Sequence, residues 1–121
     1  MLQLAAVLSF LLGLAHSILG ERYILTRLFK RDNLPRLFGG TEFTTRTLRF
    51  AWHLTTVLWW GFASILWHAA AGSMSLAFVL QVIGYTSIAG GLLPLIITRG
   101  KHLSWLVLFL IGGIALSRSA T

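Results

Sequence analysis

Four histidines, His16, His53, His68 and His102, are the residues of this chain whose type and spacing could do chemistry. An imidazole exchanges protons near neutral pH and ligates transition metals. The apolar runs around these residues hold almost no other ionisable group, and a polar side chain in an apolar medium needs a partner. Glu21 follows His16 by about one helical turn. A set made of His16, His53, His102 and Glu21 would suit Zn, Cu, Ni or Fe. Two of its imidazoles facing each other across helices would suit one haem iron.

Other chemistries are narrowed by what is missing. The chain has no cysteine, so disulfides, thiolate metal sites and cysteine nucleophiles are excluded. No acid falls inside an apolar run, which argues against proton-coupled transport built on a membrane carboxylate. No Ser–His–acid or paired-carboxylate constellation is expected, and the balance is against an enzyme.

The elements that must position the histidines read as membrane helices. Of 121 residues, 56% are hydrophobic and 11% charged, with mean hydropathy +0.80. A soluble domain carries about 25% charged residues. The expected fold is all-α: an integral membrane up-down four-helix bundle in one domain, residues 1–121. Its spans are expected at about Leu2 to Leu19, Thr47 to Ala71, Leu76 to Ile97 and His102 to Leu116. The first span has no basic residue before it and exceeds a usual signal-peptide core, so it reads as a retained helix. Residues 21–38 place Ile24, Leu25, Leu28 and Phe29 opposite Arg22, Arg27, Lys30 and Arg31. That pattern predicts an amphipathic interfacial helix, or else an extension of helix 1, before Pro35 and Gly39-Gly40 break it. Pro94 is expected to bend the end of the third span.

The net charge of +7 is concentrated in two loops. Nine of the ten Lys and Arg residues lie between spans 1 and 2 or between spans 3 and 4, counting Arg46 and Arg49 at the start of span 2. The positive-inside rule puts those loops in the cytoplasm and both termini outside. A membrane surface, not nucleic acid, is the partner such flanking charge predicts, with Arg27, Lys30 and Arg31 against anionic headgroups. A homo-oligomer or a second membrane protein is the other partner kept open.

In this topology His16, His53 and His102 share the cytoplasmic end. His68 follows His53 by 15 residues, so it lies ~22 Å along the same helix and about 60° around it. That spacing resembles the haem ligands of membrane b-type cytochromes. The resemblance implies at most one bis-histidine haem, because His68 has no second histidine at its depth. Gln81 and Tyr85, one turn apart, are expected to hydrogen-bond across the bundle. Ser9, Gly13 and Ser17 form a small-residue series on helix 1, and Gly84, Gly90, Gly91, Gly112 and Gly113 serve helices 3 and 4. The segments AHSILGERYIL and RTLRFAWHL resemble motifs of small bacterial membrane proteins, which implies an inner-membrane location.

Three functions remain in competition. The first is a histidine-lined metal or haem site, favoured narrowly. The second is a lipid- or partner-binding membrane component without catalysis. The third is a small oligomeric channel or transporter.

Overall fold

A computed structural model describes residues 1–121. The chain is all-helical, with four long helices: α1 (Leu2–Leu28), α2 (Glu42–Ala70), α3 (Leu76–Ile97) and α4 (Ser104–Ser119). Apart from one isolated bridge between Leu37 and Gly40, no strand pairing occurs. Two helices, α1 and α3, are long and apolar enough to cross a membrane. The α2 helix is longer at 29 residues, but its first turns carry Glu42, Arg46 and Arg49. The α4 helix is apolar but has only 16 residues, about 24 Å of rise.

Each helix runs antiparallel to the one before it. Ser17 of α1 meets His53 of α2, and Phe10 meets Trp60 further along. Gly61 of α2 meets Thr86 of α3, and His68 meets Phe78. Gly84 of α3 meets Leu116 of α4, and Gly91 meets Phe109. The helices pack only in chain order: α1 on α2, α2 on α3, α3 on α4. The up-and-down order is therefore present, but the bundle does not close. The helices form an open row in which α1 and α3 both rest on α2 without touching each other.

Small residues explain why each contact is close. A Cβ on Gly13 would stand 3.1 Å from the Trp60 indole and 3.3 Å from the Thr56 carbonyl oxygen. A Cβ on Gly112 would meet the Gly84 carbonyl oxygen at 2.9 Å, so α3 and α4 approach backbone to backbone. Gly113 has open space around it and takes no part.

The segment 21–38 is not a separate interfacial helix. The α1 helix continues through a π-helical turn, Gly20–Leu25, and one more α-turn, Thr26–Leu28. Leu25 is fully buried, which anchors this extension against the body of the protein. A connector then leads to α2, turning tightly at Phe38 and Gly39, both with positive φ. The Thr44 hydroxyl donates to the Pro35 carbonyl at 2.8 Å and ties the connector to α2. That support lets α2 begin at Glu42, a turn earlier than the sequence pattern predicts. Ser75 caps α3 by accepting from the Phe78 N–H at 3.1 Å. The α4 helix starts at Ser104, later than expected, because His102 belongs to the α3–α4 turn, whose Arg99 and Gly100 have positive φ.

Candidate functional site

The polar residues of the basic end assemble on the α1–α2 contact. Ser17 and Glu21 are four apart on α1, and Arg49 and His53 are four apart on α2. Each pair therefore shares a helix face. Because the helices run antiparallel, the two pairs interleave. The Ser17 hydroxyl lies 2.7 Å from His53 Nδ1, and His53 Nε2 lies 3.0 Å from Glu21 Oε2. The Arg49 guanidinium grips the other carboxylate oxygen of Glu21 at 2.8 Å and also bonds Oε2 at 3.2 Å through Nε. On the deeper side, Ser17 lies 2.6 Å from the Thr56 hydroxyl, which donates to the Gly13 carbonyl at 2.9 Å.

The π-turn contributes to this arrangement. It begins at Gly20 and has Glu21 as its second residue. Its wider winding turns Glu21 toward α2, as such turns often do at polar sites. Gly20 is required there because a Cβ would fall within the Trp52 indole.

His16 lies next to this network but outside it. Its ring stacks on Trp52 with centroids 4.5 Å apart and planes 5° apart. The bonding is reciprocal: His16 Nε2–H donates to the Trp52 carbonyl at 3.2 Å, and the Trp52 indole N–H donates to the His16 carbonyl at 2.9 Å. His102 lies elsewhere. It packs edge-on to Phe50 and over Phe43, and its Nδ1 accepts from the Ser104 hydroxyl at 2.8 Å, fixing the α3–α4 turn.

These placements bear on the metal expectation. The set His16, His53, His102 and Glu21 does not converge, and no three His, Cys, Asp or Glu side chains are grouped to hold an ion. Both nitrogens of His53 and one of His16 already have partners within the protein. Haem fits no better. The α1 and α2 helices are in direct contact at Gly13 and Gly20, leaving no width for a macrocycle between their histidines.

The opposite correction concerns Ser17. A hydroxyl, an imidazole and a carboxylate do line up, Ser17–His53–Glu21, where no such line was expected. It has the composition of a nucleophilic triad without the surroundings of one. Ser17 lines none of the larger cavities, and its hydroxyl is held by Thr56 as well as His53. The arrangement can hold and pass a proton between the helices; it offers no space for an acyl substrate.

The remaining predicted residues sit apart. Arg27, Lys30 and Arg31 lie at the far end of α1 and in the turn after it, none with an acidic partner. His68, Gln81 and Tyr85 line one groove at the other end of α2. The expected hydrogen bonds of Gln81 and Tyr85 across the bundle are not made. Both side chains are exposed. No protein-family description, curated protein or solved structure matches this chain.

Proposed function

We propose that this chain is an integral membrane protein with four spans that engages anionic lipid through its basic end and does no chemistry of its own. The carrying observation is one of unbalanced charge on an apolar body. Only Arg46 and Arg49 have acidic partners; Arg22, Arg27, Lys30, Arg31, Arg36, Arg99 and Lys101 have none. All seven lie at the end where the α1–α2 connector and the α3–α4 turn meet. The stacking of Phe43 on His102 draws these two segments together.

The rest of the surface supports a bilayer as the medium. Only 16 of 121 residues are buried, and the exposed ones include most of the leucines of α1 and α4. A water-soluble protein rarely exposes so continuous an apolar surface. Phe38 is 84% exposed among the cations, as expected of a ring seated between headgroups. Each basic residue near an anionic surface contributes about 1 kcal/mol, so a rim of this size acts as a headgroup clamp. The positive-inside rule places that rim in the cytoplasm and both termini outside, in a bacterial inner membrane on this reading.

The test is thermal unfolding of the purified chain in nanodiscs of phosphatidylcholine alone or with phosphatidylglycerol. Anionic lipid is expected to raise the midpoint, and the Arg27→Gln/Lys30→Gln/Arg31→Gln variant to lose most of that gain. Equal midpoints in the two lipids would overturn the reading.

A further inference from the structure

Because α1 and α3 both pack on α2 without meeting, α2 floors an open groove between them at the end away from the basic rim. Its volume is about 460 Å³ on the α3 side and about 420 Å³ on the α1 side, with Trp60, Ser64 and His68 shared by both parts. These volumes lie in the range of small-molecule sites. The walls are largely apolar and aromatic, yet His68, Gln81 and Tyr85 open onto the α3 side.

The polar groups have specific unmet needs. Neither the Gln81 amide nor the Tyr85 hydroxyl has a hydrogen bond within the chain, and Tyr85 is 65% exposed. Tyr85 lies nine residues into α3, about 14 Å from its end and so close to the middle of a ~30 Å hydrocarbon layer. A bare hydroxyl and amide at such depths call for a partner. His68 is already oriented: its Nδ1–H donates to the Ser64 carbonyl at 3.2 Å, and its ring stacks on Phe78 at 3.7 Å. In the neutral ring, Nε2 is then a free acceptor. The groove therefore presents an acceptor, an amide that both donates and accepts, and a phenol one turn deeper.

We propose that this groove binds a membrane-soluble phenol or quinol, a flat hydroxylated ring on an apolar tail. One ring hydroxyl donates to His68 Nε2, a ring oxygen accepts from the Gln81 amide or the Tyr85 hydroxyl, and the tail lies along the apolar walls. A second copy of the chain fits less well. The exposed outer face of α1 carries Leu4, Leu8 and Leu11 and would leave all three polar groups unpartnered, and two concave grooves do not fill each other.

The full chain in phosphatidylcholine nanodiscs, titrated with a decyl-substituted benzoquinol and with decylbenzene, tests this through tryptophan fluorescence. Saturable quinol binding is expected, at least tenfold tighter than decylbenzene. Tyr85→Phe and Gln81→Leu, both at exposed positions, should each weaken it about three- to tenfold, the worth of one neutral hydrogen bond. The Arg27→Gln/Lys30→Gln/Arg31→Gln variant should bind quinol unchanged, so failure at the basic rim and failure here are separable. Equal binding of the two probes, or no saturable signal, would overturn the proposal. So would disulfide-linked dimers from Tyr85→Cys in this cysteine-free chain, because they would show that a second copy covers the groove.

Discussion

Ser17 Oγ stands 2.7 Å from His53 Nδ1, and the same oxygen stands 2.6 Å from Thr56 Oγ1. A hydroxyl has one proton, so Ser17 can donate to only one of them. Thr56 already gives its proton to the Gly13 carbonyl. One direction of donation satisfies every link: His53 Nδ1–H to Ser17, Ser17 to Thr56, Thr56 to Gly13. A single proton then lies between His53 Nε2 and the Glu21 carboxylate. The reverse direction sets the Thr56 oxygen against the Gly13 carbonyl oxygen with no proton between them.

The tautomer is therefore a measurable consequence. Nitrogen-15 NMR of histidine-labelled protein should show His53 Nδ1 protonated. In Thr56→Val, Ser17 is released to donate to Nδ1, so Nδ1 should lose its proton while the one between Nε2 and Glu21 stays. Unchanged His53 nitrogen shifts in that variant would exclude a directed chain. The same substitution should lower stability by about 0.5–1.5 kcal/mol, the usual worth of one such bond.

The Arg49–Glu21 pair is more exposed, with both side chains over a third accessible. Solvent screens it, so its coupling should be small, about 0.2–1 kcal/mol in a double-mutant cycle of Arg49→Leu and Glu21→Gln. The single substitutions should differ. Arg49→Leu leaves Glu21 bonded to His53, whereas Glu21→Gln leaves Arg49 without a counter-charge and His53 without its carboxylate partner, and should unfold at the lower temperature.

Two glycines make a matched comparison. Gly20→Ala drives a methyl group into the Trp52 indole, which is already stacked on His16. Overpacking of this kind costs about 1–3 kcal/mol. Gly113→Ala meets nothing within 4 Å and should be neutral or stabilising by up to about 1 kcal/mol, the helix propensity gained. Thermal midpoints in one detergent would compare them directly.

How much of this was legible in the sequence differs by level. Hydropathy located the helices because apolar length is a local property. The tight approaches at Gly13, Gly84, Gly91 and Gly112 were legible as small-residue positions. Closure of the bundle was not legible, because no local pattern says which helix a lipid-like face will meet. At the site, depth puts Glu21 and His53 at one end, where they meet at 3.0 Å, but carries no information on the helix face that turns His102 away. By type alone Ser17 is a small packing residue and Arg49 a loop-flanking charge. The signal available was that Ser17–Glu21 and Arg49–His53 are both four-residue pairs, so two polar faces were predictable before their meeting was. The π-turn that aims Glu21 had no such signal beyond Gly20.

The last prediction concerns metal. His53 can bind an ion only by giving up Ser17 or Glu21, and His16 Nε2 only by leaving the Trp52 carbonyl. Each exchange breaks an existing bond at a contact too close to rearrange freely. Protein purified without chelator or affinity metal should therefore hold far less than one equivalent of Zn, Cu, Ni or Fe by elemental analysis. Added Zn²⁺ should leave the unfolding midpoint unchanged, because a ligand stabilises only in proportion to its binding of the folded state. His16→Ala should still unfold earlier, since the lost Trp52 stacking and the cavity beside it do not depend on any ion. Near-stoichiometric metal that disappears in His16→Ala/His53→Ala would show instead that the histidines leave their present partners to bind it.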